Sequence, residues 1–390
     1  MSGPDRPVGV VAICAACIGL GAALGFIPGF VATALRDDLG ISKGQVGLLV
    51  GLHFGCTGVG SILGGRLTER FGARNAVIAD MAAVMVAAAF AAAIGSYWSL
   101  LVAAAMSGSG YALVNAGTNV AMAHAVSSQR RTLAMSIKTA GVPAMAAITA
   151  ALGPSIANRL SWQHLLWGVA ATAAVAGIAA ALVLENDRPE KDRSAPTERL
   201  PAGFVWFPIG AFLLIAGSQP LYSWLVAYLE QSLDASPGTA GGISAVASVL
   251  GVLAMVLSAL RSDRLGADRR IPLIAALLIA NAAAIALVLL ATQFGLALAV
   301  LGAVLGTAVQ LSAIGTMHAT IVDRAPRAVA RATGATMTGY YLGALVSPTA
   351  FGIIADATDT FTWSWSITIA LLALAIPAWL AAGRVAIVET

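Results

Sequence analysis

The strongest constraint on this chain is a succession of long apolar runs separated by short polar loops. One of them, residues 273–290, contains no charged residue. About 20 apolar residues span ~30 Å of hydrocarbon as a helix. The chain is 59% hydrophobic and only 10% charged, whereas soluble domains carry about 25% charged residues. Lipid must therefore be its solvent, and the runs are too long for the alternating strands of a β-barrel.

The hydropathy pattern predicts an all-α membrane protein with twelve transmembrane helices. We expect these spans near residues 8–35, 45–65, 75–95, 98–124, 132–157, 164–184, 204–229, 239–260, 271–292, 294–320, 332–355 and 363–383.

The distribution of basic residues predicts the orientation of these spans. With the N-terminus in the cytoplasm, 18 of the 22 lysine and arginine residues fall on the cytoplasmic side. Such an excess marks cytoplasmic loops. We therefore expect a multi-pass protein of the bacterial inner membrane with both termini cytoplasmic. Because the basic residues stand singly in short loops, without a basic helix face, nucleic-acid binding is not expected.

The chain also contains an internal repeat. An offset of 194 residues aligns its two halves without a gap. It superposes Arg70 on Arg264, and it likewise pairs Gly72 with Gly266, Gly108 with Gly302 and Pro154 with Pro348. Parallel repeats of this kind occur in one large class of transporters. We predict two pseudo-symmetric six-helix bundles, at residues 1–184 and 204–390, joined by a charged cytoplasmic linker at 185–203.

The loop after span two carries a recognisable motif. Residues 65–74 read GRLTERFGAR, with a weaker echo, SDRLGADRR, at residues 262–270. Together with the twelve spans, this loop resembles the signature of the major facilitator superfamily. The resemblance implies two bundles that alternate access to a central site, and a gating loop that holds the cytoplasmic side shut. The gating residues it implies are Gly65, Glu69, Arg70, Gly72, Arg74, Asp263 and Arg264.

The chemistry of this loop fits that role. Gly72 permits a tight turn between helices, and Gly65 would let a neighbouring helix approach the end of span two. Glu69 can accept hydrogen bonds from arginine or from a helix N-terminus. The sequence departs from the family pattern in having Glu69 for aspartate and Ala73 where a basic residue is common. Either change would weaken the contacts that hold the cytoplasmic side shut.

Lys138 is the most informative single residue. It lies about seven residues inside span five and is the only basic residue well within a span. A charge inside the membrane is costly and marks a functional site by default. As an anchor it would attract an anion. The alternatives are that it reaches back to the cytoplasmic interface or pairs internally.

Other polar residues join Lys138 as candidates. The resemblance implies a cavity lined mainly by spans one, four, seven and ten, helped by two, five, eight and eleven. For each polar residue the alternative is a hydrogen bond between helices. The substrate-binding candidates are Tyr111, Asn115 and Asn119 in span four, Gln219, Tyr222 and Trp224 in span seven, Gln310 in span ten, and Tyr340 and Tyr341 in span eleven.

Two further titratable residues lie within spans. His53, near the middle of span two, is a candidate for carrying a coupling proton, although a packing role is equally compatible with its position. Asp80 lies near the cytoplasmic end of span three. We expect it to pair with loop arginines rather than to carry protons.

These features favour a secondary transporter of a small organic anion, with proton coupling left open. No carboxylate lies deep in spans one, four, seven or ten, which argues against export of cations. Efflux of amphiphilic drugs or neutral compounds remains an alternative, and a non-transporting membrane sensor is another. We find no enzyme constellation, metal-ligand cluster or cofactor motif. We expect a monomer whose partners are its small-molecule substrate and the bilayer.

Overall fold

The computed structural model describes residues 6–187 and 199–385, and within them all regular secondary structure is helical. Its helices are α1 (Arg6–Phe30), α2 (Ala32–Leu39), α3 (Lys43–Phe71), α4 (Ala73–Ile94), α5 (Tyr97–Ala125), α6 (Ser128–Arg159), α7 (Trp162–Val183), α8 (Trp206–Ser232), α9 (Pro237–Leu265), α10 (Ala267–Phe294), α11 (Leu296–Arg324), α12 (Val329–Ala357) and α13 (Thr362–Ala382).

Twelve of these helices correspond one by one to the predicted spans. They have 21 to 32 residues, whereas α2 has only eight. In the described residues, ten helices are long and apolar enough to cross a membrane, and α3 makes eleven if it is counted as one bent span. The prediction of an all-α membrane fold is confirmed.

The first predicted span is wrong at its end. We expected one helix over residues 8–35, but α1 ends at Phe30 and the short α2 follows. Val31 interrupts the helix with φ −114° and ψ 25°. Pro28 lies in the last turn of α1 and cannot donate a backbone hydrogen bond there, which weakens the helix at this point.

The helices group into two compact units. One comprises Met1–Ile41 and Leu49–Lys191, and the other Ser42–Leu48 and Asp192–Thr390. In the first unit α1 packs on α5, α6 and α7, and α4 packs on α5 and α7. In the second, α8 packs in the same way on α11, α12 and α13, and α10 on α11 and α13. The bundle boundaries at 184 and 204 stay a prediction, and most of the proposed linker, 188–198, lies outside the described residues.

The matched loops of the two halves share one backbone conformation. Gly72, before α4, has φ 90° and ψ 162°, and Gly266, before α10, has φ 78° and ψ 168°. Side chains other than glycine rarely adopt such positive φ values. The turn expected at Gly72 is therefore present in both copies.

Close packing in the first unit depends on small residues. A Cβ atom on Gly19 of α1 would lie 2.5 Å from the carbonyl oxygen of Gly141 on α6, and one on Gly141 would overlap the carbonyl oxygen of Ala15. Membrane helices approach this closely where glycine and alanine line the contact. The approach brings α6, which carries Lys138, against α1.

We expect Gly141→Ala to lower the free energy of unfolding by about 1–3 kcal/mol, because the added methyl group overpacks the contact between α1 and α6. Gly168→Ala is the matched control, since a Cβ atom there meets nothing within 4 Å. Thermal unfolding of both variants in detergent measures the difference. Equal unfolding midpoints for the two variants would show that the α1–α6 contact is not tight.

Candidate functional site

Lys138 is held inside the first unit by two amide groups. Its side chain is only 2% exposed. The Nζ atom donates to Oδ1 of Asn119 at 2.6 Å and to Oδ1 of Asn115 at 3.1 Å. The two asparagines stand four residues apart on α5, so they share one helix face. The structure thus brings together three of the predicted site residues. Lys138 does not reach back to the interface but is hydrogen-bonded internally, which is the second alternative, so its role in substrate binding stays a prediction.

Among the described residues, no carboxylate balances the positive charge of Lys138. In the described part of the chain its partners are amide oxygens, which are neutral. Asn119 is exposed and Asn115 half-buried. A buried cation next to accessible amides attracts an anion more strongly than it attracts a neutral molecule.

His53 is buried within the first unit. Its Nδ1 lies 3.0 Å from Oγ of Ser107 on α5, while its Nε2 has no hydrogen-bond partner. The imidazole ring fills the space that a Cβ atom would take at Gly25 of α1. Its ring centroid lies 6.1 Å from that of Tyr111. The geometry supports both readings of His53, so proton coupling through it stays a prediction.

Asp80 corrects an expectation. We expected it to pair with loop arginines, but its side chain is completely buried and neither carboxylate oxygen has a hydrogen-bond partner. The side chain projects from α4 towards α1 and α5, where Gly21 and Gly110 leave room for it. Sequence position alone placed it near the cytoplasmic end of a span and gave no sign of this burial.

Trp224 is part of the core of the second unit. It is fully buried, and its Nε1 donates to the carbonyl oxygen of Pro348 at 3.0 Å. Its ring stacks on that of Phe351 with centroids 5.7 Å apart. Its prediction as a substrate-binding residue is therefore not supported, because the ring and its N–H are already engaged in packing between α8 and α12.

The remaining candidates of the second unit include three tyrosines that lie near one another, because Tyr340 interacts with both Tyr341 and Tyr222. Gln219 on α8 and Gln310 on α11 are buried, and Nε2 of the former and Oε1 of the latter lack hydrogen-bond partners. Tyr340 and Tyr341 pack edge to face with centroids 5.4 Å apart. Tyr222 is buried and interacts with Ser248 on α9.

The loop between α3 and α4 is fixed by residues that follow α7. The backbone N–H of Ala73 donates to the carbonyl oxygen of Asp187 at 2.7 Å, and that of Asn75 donates to Oδ1 of Asn186 at 3.3 Å. These contacts satisfy orphan donors at the start of α4. The sequence did not reveal them, because the partners are more than 100 residues apart.

The side chains of the predicted gating residues show little contact. Glu69 and Arg70 are exposed, and Arg74 is half-buried. A Cβ atom on Gly65 would meet no described atom within 4 Å. The side chains of Asp263 and Arg264 lie outside those that the structure describes. The gating role stays a prediction.

A carboxylate that the sequence did not single out caps α3 within the second unit. Asp356 of α12 accepts hydrogen bonds from the backbone N–H groups of Lys43 at 3.1 Å and Gly44 at 2.8 Å. Its Oδ1 also lies 3.8 Å from Nζ of Lys43. A negative charge is favourable at a helix N-terminus. The contact joins residues more than 300 positions apart, so local sequence gives no signal for it.

The cysteines of α1 serve packing. Cys14 and Cys17 are free thiols with no exposed surface, and they belong to the apolar core of the first unit. Across the described residues, no group of three or more histidine, cysteine, aspartate or glutamate side chains is arranged to hold a metal ion.

Comparison with known proteins gives a consistent family. The sequence model of the Major Facilitator Superfamily matches residues 11–348 and 207–386. The Escherichia coli K12 inner membrane transport protein YajR is 27% identical over 131 residues. That alignment covers 34% of this chain and 28% of YajR.

Solved structures share the fold at low sequence identity. A bacterial homologue of the human lysosomal transporter Spinster, in an inward-facing and unoccupied conformation, matches with a TM-score of 0.81 at 13% identity. The match covers 98% of both chains. A D-xylose–proton symporter matches with a TM-score of 0.74 at 17% identity, over 96% of this chain and 97% of the symporter.

We expect Asn119→Leu to lower the free energy of unfolding by about 1.5–3 kcal/mol, the value of a hydrogen bond to a charged group. In a Lys138→Met background the same change should cost much less, because no ammonium remains to be satisfied. Denaturant unfolding of the two single variants and the double variant, in detergent, measures this coupling. Equal costs in both backgrounds would mean that the Lys138–Asn119 contact contributes nothing.

Proposed function

Because the chain belongs to the Major Facilitator Superfamily, we propose that this membrane transporter moves a small organic anion by alternating access. Its family and its transporter neighbours make it a transporter rather than an enzyme. We therefore ask which class of solute this transporter moves.

The single observation that supports an anionic solute is the positive charge of Lys138. The ammonium is buried and bonded only to amide oxygens among the described residues. Two unit charges 4 Å apart attract by about 4 kcal/mol at an effective dielectric constant of 20. A carboxylate on the solute gains that attraction, whereas a neutral or cationic solute does not.

The asparagines give the site a second kind of contact. An incoming carboxylate takes hydrogen bonds from Nζ of Lys138, and the amide nitrogens of Asn115 and Asn119 are donors for further acceptor atoms. A charged hydrogen bond is shorter and roughly twice as strong as a neutral one. The group therefore favours small solutes that carry one compact anionic end.

We also propose which membrane holds the protein and how its termini are oriented. We place the protein in the bacterial plasma membrane with both termini cytoplasmic, because 18 of its 22 basic residues then lie on the cytoplasmic side. Lys138 lies about seven residues inside span five, so at 1.5 Å per residue it is about 10 Å from the cytoplasmic end of that span. Solute sites of this class of transporter lie near the bilayer midplane, and Lys138 is on the cytoplasmic side of it.

We expect Lys138→Gln to abolish most anion exchange while Lys138→Arg retains part of it. Glutamine keeps a polar side chain of similar length without the charge, and losing ~4 kcal/mol corresponds to 100- to 1,000-fold weaker binding. Counterflow in proteoliposomes with a panel of radiolabelled anions and cationic dyes measures the effect.

The same panel distinguishes the alternatives. Transport of cationic dyes that is unchanged by Lys138→Gln would contradict the anion proposal and favour drug efflux. A wild-type protein that moves no solute in either direction would favour the non-transporting sensor.

A further inference from the structure

The buried carboxyl group of Asp80 has no assigned role in the function proposed above. It lies seven residues after the first residue of α4, about 10 Å along the helix. Its side chain has no exposed surface, and both carboxylate oxygens lack hydrogen-bond partners. A charged group in such a place would be costly unless it were paired, so Asp80 requires an explanation.

The neighbouring helices are shaped around this carboxyl group. A Cβ atom on Gly21 of α1 would lie 2.7 Å from Oδ2, and one on Gly110 of α5 would lie 2.5 Å from Oδ1. The ring of Tyr111 closes the same space, with Cδ2 3.0 Å from the Gly21 position. Gly21 on α1 therefore makes room for Oδ2 of Asp80, and Gly110 on α5 makes room for Oδ1.

The second half of the repeat shows that the fold does not need this carboxyl group. At the 194-residue offset, Asp80 corresponds to Ile274, which is fully buried. The two glycines correspond to Ile215, also fully buried, and Val304. Apolar side chains fill the equivalent space, so the polar group and its glycines are a feature of the first half alone.

The surroundings favour the neutral form of the carboxyl group. Among the described residues, α1, α5 and α7 pack against α4. The titratable groups near Asp80 are the Cys17 thiol and the Tyr111 phenol. Beyond Tyr111 lies the imidazole of His53 on α3, with ring centroids 6.1 Å apart, and its burial disfavours the charged form. Helix α7 contributes only His164, in its first turn. An unpaired carboxyl group buried among apolar helices keeps its proton, since ionisation there is far costlier than in water.

We propose that Asp80 is the proton-binding group of this transporter, and that it exchanges its proton with water when α1 and α5 separate around it. The carboxyl group binds one proton from water while the pocket is open and holds it while the pocket is closed. On opening to the other side, the O–H bond breaks and the proton passes to a water molecule. The proposal rests on the function above only in naming an anion as the solute that travels with the proton.

The two buried groups of the first unit then act together. With Asp80 neutral, Lys138 is the one buried cation among the described residues of the first unit, and an anion is attracted. Ionisation of Asp80 adds a negative charge to the same unit, which weakens the attraction of an anion. Protonation and anion binding therefore favour each other, which is the thermodynamic requirement for carrying both in the same direction.

Infrared difference spectroscopy of the purified protein in lipid nanodiscs tests the site without any solute. We expect wild type to show the carbonyl stretch of a protonated carboxyl group near neutral pH, shifted by deuterium exchange and lost in Asp80→Asn. Asp356→Asn is the control. That carboxylate is paired with Lys43 and two backbone N–H groups, so its loss should leave the band in place. A band that persists in Asp80→Asn, or is absent from wild type, would overturn the proposal.

A second variant guards against misfolding of Asp80→Asn. Gly21→Ala keeps the carboxyl group but places a methyl group against Oδ2, so we expect the carbonyl band to shift while the protein still folds. If this variant left the band unchanged, the band would not belong to a carboxyl group in this pocket.

Transport assays separate this proposal from the function proposed above. We expect Asp80→Asn to lose at least tenfold in accumulation driven by a pH gradient, and to lose less than that in anion counterflow at equal pH, which requires no net proton movement. Asp80 would not be the coupling group if Asp80→Asn accumulated the anion as well as wild type under a pH gradient. The same conclusion would follow if His53→Gln lost this accumulation and Asp80→Asn kept it. A carboxyl band that depends on Asp80, in a wild type without anion counterflow, would instead reject the anion and leave the proton site standing.

Discussion

The chemistry proposed for this molecule depends on the buried ammonium group of Lys138. Moving an ammonium group out of water costs several kcal/mol, and the two amide oxygens on α5 offset only part of that cost. The close contact of α6 with α1 through Gly141 keeps the charge inside the unit. A lone cation in an apolar bundle attracts anions and disfavours other cations nearby. Both the proposed substrate class and the proposed proton link to Asp80 follow from this electrostatic imbalance.

The repeated scaffold and the unrepeated polar groups have different roles. The two halves share their helix pairing and the glycine turns at Gly72 and Gly266. By contrast, the 194-residue offset places Ala332 at the position of Lys138 and Ile274 at that of Asp80. Symmetry supplies two bundles of the same architecture, whereas the Lys138 and Asp80 groups belong to the first bundle alone.

Much of this architecture was predictable because it is local or periodic. Apolar runs define the spans, and a four-residue spacing on one helix puts Asn115 and Asn119 on a common face. Contacts between distant segments were not predictable. The burial of Asp80 depends on which helices surround α4. The capping by Asp356 joins residues over 300 positions apart, and Trp224 donates to the carbonyl group of Pro348, 124 positions away. Hydropathy contains no information on any of these.

Ligand-induced thermal stabilisation tests the central claim most directly, because it detects binding without transport. A ligand that binds only the folded protein at 100 times its Kd stabilises it by about 2.7 kcal/mol. The account predicts that small carboxylates raise the Tm of wild type and of Lys138→Arg, and leave that of Lys138→Gln unchanged. If neutral or cationic compounds raise the Tm of wild type and Lys138→Gln equally, and no anion does so, the charge of Lys138 does not select the substrate.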